Sequence, residues 1–533
     1  MAAARRMDVR KILAAVIVGS LLGFGFIVGS AAPAQEAVDA AMNAKIRDEA
    51  INRSQVQAMF THLVDTIGPR LTASPEHKRA AEWARDMAAK WGLANPRVEP
   101  FEFGRGWALD KFTIEMVEPR YMPLVGYPEA WSPSTGGEVT ASAVVLAGKT
   151  PEEVEGMQAQ LKGAAVLSAG MVTNFIRTDR AQPTDQPTDE PAQAGRGGRG
   201  GRGGGGGDVQ PATCGVQAGG GRGRGGDAQQ GPSPAQRIDA AIRTGGAAVL
   251  LRPSRGEHGT LFVQAGRGEN PKDLLPKVVL IGEHYNLITR LVCQGTPVKI
   301  RVNVQSRFLD DRNSYNMLAE IPGTDPALRD EVVMLGAHLD SWHTATGATD
   351  NADGSAASLE AFRVLKAIGA QPRRTLRLAL WGGEEQGLLG SRAYVNTYLA
   401  GDQHAEARKK LMVYFNIDPG KGPIYGWYLE NNAAVKPIFD AWLAPFKNLE
   451  PPARRNVNGP IGSTDHVAFN SAGIPGFNPV QDFVNYDVRE HHTNVDTAER
   501  VLERDLKQNA VILASFLYHA ANRKEPLPSD VRK

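Results

Sequence analysis

Two cysteines, Cys214 and Cys293, are all that the 533 residues contain, so neither a disulfide framework nor a thiolate metal cluster can organise this chain. Any bound metal has to be held by imidazoles and carboxylates. A Cys214–Cys293 bridge is chemically allowed in an oxidising compartment, and two unpaired structural thiols are the alternative. Charge of one sign is also scarce. The 60 basic and 58 acidic residues leave a formal net charge of +2, too little to draw in nucleic acid or an anionic membrane. Long apolar runs are missing too, with the exception of residues 12–28. That run follows Arg5, Arg6, Arg10 and Lys11 and precedes small residues at 30–35, so it reads as a secretory signal cleaved after Ala34. An uncleaved membrane anchor is the alternative. Either way the rest of the chain is exported, to a periplasmic or secreted location.

What is present is an ordinary globular composition, 42% hydrophobic and 22% charged, with room for more than one core. Residues 181–232 break the pattern with a Gly/Arg-rich tract that is unbroken from 195 to 207 and cannot bury enough apolar surface to fold. Arg-Gly tracts can bind single-stranded nucleic acid, but in an exported chain an elongated surface loop is the better reading. Ser54 is placed to cap a helix carrying Val56, Met59, Phe60, Leu63, Val64 and Ile67 on one face. Ser74-Pro75 begins a second helix, with Trp83, Met87 and Trp91 as its apolar face. Between about 121 and 305, short β-branched runs separated by glycine-rich turns predict a strand-rich insert. From 306 to 525, apolar strands alternate with helical stretches, which builds a mixed, mostly parallel α/β sheet flanked by helices. The resulting divisions are 1–34 for the signal or anchor, 45–120 for the first part of the main domain, 121–305 for the insert and 306–525 for the remainder.

Three strands of that last segment end in residues of one chemical kind: His338-Leu339-Asp340, then Gly382-Gly383-Glu384-Glu385, then Asn416-Ile417-Asp418. Ligands bind at the carboxyl ends of strands in an open α/β sheet, so these side chains should converge on one crevice. Thr349-Asp350-Asn351 follows the first strand, and Glu490-His491-His492-Thr493 is a further polar cluster. Imidazoles with carboxylates suit Zn²⁺, and a carboxylate can bridge two ions. Hydrolysis also needs a base that is not a ligand. Adjacent acids point apart, so Glu385 can face metal while Glu384 faces water.

The ordered set HxD, DN-x-x-G, GGEE, NxD and HHTxxDT resembles the co-catalytic zinc exopeptidases, which include bacterial leucyl aminopeptidases, aminopeptidase Y and plasma glutamate carboxypeptidase. The resemblance covers about 67–103 and 306–520. It implies two Zn²⁺ per chain, with His338, Asp350 and Asp418 on one and Asp350, Glu385 and His492 on the other. It also implies Glu384 as general base, Asp340 as the carboxylate orienting His338, a cis bond after Asp350, and a peptide or dipeptide substrate without nucleic acid. The strand-rich insert is similar in position to a protease-associated domain.

Other readings of these motifs are weaker. His491 competes with His492, but the family pattern puts the ligand directly before Thr493. Asp350-Asn351-Ala352-Asp353-Gly354 superficially suggests a calcium loop, yet the register places Thr349 at the first ligand position. Ser463-Thr464-Asp465-His466 holds the residue types of a serine triad, but sequence neighbours cannot adopt that relay. Where an aminopeptidase relative has an oxyanion-stabilising tyrosine this chain has Ile461, so the oxyanion-stabilising residue is left open, with Tyr486 one candidate. Three alternatives to an aminopeptidase are a carboxypeptidase of the glutamate carboxypeptidase type, a one-zinc glutaminyl-cyclase-like transferase, and a non-catalytic receptor-like protein. Side-chain preference and oligomeric state are not encoded in any of these motifs.

Overall fold

The computed structural model describes residues 36–181, 232–265, 274–449 and 456–529. The predicted signal or anchor, the core of the Gly/Arg-rich tract and Cys214 lie outside them. Cys293 is disulfide-bonded. Among the described residues, no helix is long and apolar enough to cross a membrane.

The described chain starts with helices α1 (Ala40–Asn52) and α2 (Val56–Thr61), the second running on as a wider turn to Ile67, and with α3 (Pro75–Lys90). Ser74 caps α3 by accepting the His77 N–H, with proline at the first helical position as predicted. The buried face differs from expectation: Ala80, Ala81, Ala84 and Ala88 are fully buried, whereas Trp83, Met87 and Trp91 are half-buried. Alanines let the helix backbone approach the sheet closely, and the tryptophans cover its flanks, Trp83 stacking on His62 with ring centroids 4.7 Å apart.

Strand β1 (Ala94–Glu102) opens one sheet, and β2 (Trp107–Glu118) then opens another. The second sheet also takes β3 (Met122–Pro123), β4 (Gly126–Pro128), β5 (Val139–Val145), β6 (Ala165–Leu167), β7 (Val249–Pro253), β8 (Lys277–Leu280) and β9 (Lys299–Phe308). Its order is β3-β2-β9-β5-β6-β7-β8-β4. β2 and β9 pair antiparallel from Trp107↔Phe308 to Glu118↔Lys299, so the chain leaves for this sheet and returns from it along neighbouring strands. That geometry lets a large segment be inserted without separating β1 from its partner.

The returning chain forms β10 (Asn313–Ile321), β11 (Val332–His338), β12 (Thr375–Trp381), β13 (Leu411–Asn416), β14 (Lys421–Tyr428) and β15 (Gly476–Asp482), giving the order β1-β10-β12-β11-β13-β15-β14. The central strands β12, β11, β13 and β15 are mutually parallel, and antiparallel pairings flank them. All seven residues of β11 are buried, as a strand covered on both faces requires. Alternate side chains face opposite layers. Val333, Leu335 and Ala337 pack with the helices Asp353–Ala367 (α4) and Glu503–Asn522 (α6), whereas Met334 packs with Trp381, Tyr394 and Tyr414 beside Leu389–Tyr398 (α5). This is a mixed α/β sheet flanked by helices, with β11 at its centre and the carboxyl ends of β11, β12 and β13 side by side.

Candidate active site

His338 ends β11, Glu384 and Glu385 follow β12, and Asp418 follows β13. Gly382 and Gly383 make the β12 turn possible: a Cβ on Gly382 would meet the Tyr315 carbonyl at 2.7 Å, and Gly383 has φ +72°. Asp350 lies in an irregular turn ahead of α4, joined to Asn351 by a cis peptide bond.

Asp350 is the centre of the cluster. Its Oδ1 lies 3.1 Å from His338 Nε2 and its Oδ2 lies 3.3 Å from His492 Nε2. His338 Nε2 is 3.8 Å from Asp418 Oδ2, and His492 Nε2 is 2.7 Å from Glu385 Oε2. His338, Glu384 and Asp418 thus bring ligand atoms together on one side of Asp350, and Asp350, His491 and His492 do so on the other. His491 stacks on His492 with centroids 3.6 Å apart, but His492 is the one facing Glu385, and its backbone is left-handed at φ +64°. All the side chains named as metal-holding in the sequence therefore meet in one place.

Asp340 acts differently from the simple expectation. The nearest acceptor to His338 Nδ1 is the Asp340 backbone carbonyl, at 2.9 Å, with the carboxylate at 3.7 Å. The carboxylate instead accepts from the Thr72 hydroxyl at 2.6 Å and the Glu384 N–H at 3.2 Å, tying the Glu384 turn to the β11 end.

Several buried atoms here have no hydrogen-bond partner: His338 Nε2, Asp350 Oδ2, Glu385 Oε1, both oxygens of Asp465 and the Tyr486 hydroxyl. Polar atoms are seldom left so in a dry interior. Burial, together with neighbouring carboxylates, pushes Glu384 and Glu385 well above the usual carboxylate range, Asp418 up to about 6 and Asp465 up to about 7. Crowded carboxylates with orphaned imidazole nitrogens fit divalent cations, which would neutralise the acids and take up the free lone pairs. A sign follows for stability. Asp418 and Asp465 hold protons more tightly folded than unfolded, so their stabilisation of the metal-free protein is complete below the ordinary carboxylate range and is lost as pH rises through 6 and 7. Buried His77, His343 and His491, all pushed down by desolvation, work in the opposite direction, so the acids are isolated by substitution: chelator-treated Asp465→Asn should lose less melting temperature between about pH 4.5 and 7.5 than the parent, and an equal loss would contradict the assignment.

Three further residues shape the site. Arg70, fully buried, donates from Nε to the Leu339 carbonyl (2.8 Å), from Nη1 to those of Leu63, Gly68 and Thr346, and from Nη2 to that of Gly347 (2.8 Å). Asp496 accepts from the Thr349 N–H (2.7 Å), the Thr349 hydroxyl (2.8 Å) and the Asp350 N–H (3.2 Å), which fixes the bridging turn. Asn416 donates to Thr464 Oγ1 (2.8 Å), anchoring the Thr464-Asp465 turn beneath Asp418. The Ser-Thr-Asp-His stretch thus forms a supported wall, with no serine relay. Ile461 packs against Tyr425, Tyr428, Val457 and Val480. Tyr486 is fully buried and its ring lies 5.2 Å from that of His491.

Comparison with known proteins agrees with this fold. Residues 316–517 match Peptidase family M28. Mouse carboxypeptidase Q is 24% identical over 468 residues, covering 87% of this chain and 85% of its own. Among solved structures, a Peptidase M28 precursor from Shewanella amazonensis superposes with TM-score 0.60 at 24% identity, covering 92% of this chain and 99% of its own. A zinc aminopeptidase from Bacillus subtilis does so with TM-score 0.54 at 17% identity, covering 90% and 98%.

Proposed function

We propose that this metallo-exopeptidase, which carries a Peptidase family M28 domain over residues 316–517, removes N-terminal residues from short peptides at a two-zinc centre. The observation that carries the reading is Asp350, whose two oxygens address two different imidazoles, His338 at 3.1 Å and His492 at 3.3 Å. A carboxylate so placed is suited to hold two cations at once. His338, Asp350 and Asp418 would hold one zinc, and Asp350, Glu385 and His492 the other. Bound there, the zinc ions would polarise the scissile carbonyl and make water a nucleophile at neutral pH.

The remaining steps belong to the chain's own side chains. Glu384 takes the proton from the attacking water and returns it to the leaving amine. The Asp340 carboxylate aims that turn through the Glu384 N–H, at 3.2 Å. The unpartnered Tyr486 hydroxyl is the donor for the oxyanion that develops on the substrate carbonyl.

The balance of charge supports recognition of a free α-amine. Asp465 is the carboxylate of this cluster that neither zinc binding nor the proton transfer uses, while the nearby cation Arg180 is engaged by Asp487, its Nη2 2.5 Å from Oδ1. Carboxylates welcome an ammonium group. A carboxypeptidase reading rests on Arg180 and on the likeness to carboxypeptidase Q, and one assay separates the two. Zinc-loaded protein is expected to cleave a dipeptide and its C-amidated form and to leave the N-acetylated form intact. Cleavage of the acetylated peptide with sparing of the amide would replace the aminopeptidase reading with the carboxypeptidase one.

A further inference from the structure

The loop that carries His492 is not held by the peptidase sheet alone. Beyond β7 the second sheet extends a segment, 254–265, across to it. Phe262 forms an antiparallel bridge with Thr493, the Leu261 N–H donates to Asn494 Oδ1 at 2.7 Å, and the Asn494 N–H donates to the Leu261 carbonyl at 3.1 Å. Arg489 donates to the Glu257 carbonyl and to Thr260 Oγ1, both at 2.7 Å. At the end of this register, the side-chain amide nitrogen of Gln264, Nε2, lies 2.5 Å from Nδ1 of His492. The opposite nitrogen of the same ring, Nε2, faces Glu385 at 2.7 Å and Asp350 at 3.3 Å.

We propose that Gln264, which follows the second sheet's strand β7, is a positioning residue for the metal centre: its amide holds the tilt of the His492 imidazole and, with its oxygen turned to Nδ1–H, supports the tautomer that ligation requires. This rests on the reading of His492 as a zinc ligand. An imidazole that ligates through Nε2 must carry its proton on Nδ1 and needs an acceptor there. A primary amide offers a donor and an acceptor that exchange places by a half-turn about its terminal torsion. With the amide nitrogen against Nδ1, the ring proton sits on Nε2 and is donated to Glu385. With the amide oxygen against Nδ1–H, the Nε2 lone pair is free for a cation. Both arrangements use the same heavy-atom positions, so the ring need not move between them. Trp342, edge-on at 6.0 Å, and His491, stacked at 3.6 Å, bound the ring on its other sides.

The test is competition of purified full-length protein with a chromophoric zinc chelator, which reads the two binding steps separately. Gln264→Met and Gln264→Ala are expected to weaken one step by about tenfold or more and to leave the other unchanged. The melting temperature of the metal-free protein should also stay unchanged. Gln264→Glu, which keeps an acceptor for Nδ1–H, should restore the weakened step. The positioning role is overturned if Gln264→Met binds both ions as the parent does, or if Gln264→Glu is as weak as Gln264→Met. His492→Ala separates the two layers of inference. Loss of one zinc in His492→Ala beside parental binding in Gln264→Met removes the Gln264 role alone, whereas parental binding in His492→Ala removes the ligand assignment and the Gln264 role with it.

Discussion

Glu384→Gln is expected to lower kcat by about 10²–10⁴-fold while the protein keeps its full complement of zinc. Glutamine preserves the volume of the side chain and the backbone N–H that donates to Asp340 at 3.2 Å, so the turn keeps its place. What disappears is the capacity to accept and return a proton. Burial and the surrounding acids already hold Glu384 well above the usual carboxylate range, the environment of a group that trades protons. Metal content measured beside steady-state kinetics distinguishes this from simple loss of the site. If the variant retained a tenth or more of the parental kcat with zinc in place, another group would have to be the base.

Asp350→Ala should be more damaging still to metal binding. In the proposed two-zinc centre Asp350 lies between His338 and His492, at 3.1 and 3.3 Å, so its removal would take a ligand from both positions at once. Loss of an outer-shell partner costs about 10–100-fold in affinity, and loss of a shared ligand should exceed that. Zinc content after dialysis is expected to fall from two ions to one or fewer per chain, with hydrolysis below detection. A variant that retained both ions would show that Asp350 does not bridge them. The Asp496 carboxylate, which accepts from both the Thr349 and Asp350 N–H groups, keeps the turn in place when the bridging side chain is removed.

Residues at strand ends were legible in the sequence because strand ends are recognisable there. His338, Glu384, Glu385 and Asp418 each follow an apolar run whose period and length announce a buried strand, and a parallel sheet brings such ends together. Arg70 and Asp496 gave no comparable signal. Arg70 reads as an ordinary residue after Gly68-Pro69, yet it donates to carbonyls as far away as Gly347. Its role exists only once the segments are folded together. Asp340 shows a different limit, because sequence spacing placed it beside His338 but did not reveal that its backbone carbonyl, at 2.9 Å, would be nearer the ring than its carboxylate. On α3 the tryptophans were the more conspicuous apolar residues, but the alanine stripe won the buried face since small side chains permit close packing against β10.

The distances along the chain that Arg70 and Thr72 span have a consequence in time. Arg70 reaches Leu339 and Gly347 across 269 and 277 positions, and Thr72 reaches Asp340 across 268. Contacts of such high order form only once the intervening loop entropy has been overcome, which slows their formation relative to local contacts. The turn that carries Glu384 thus depends on residues as far apart in the chain as 70 and 347 being packed together.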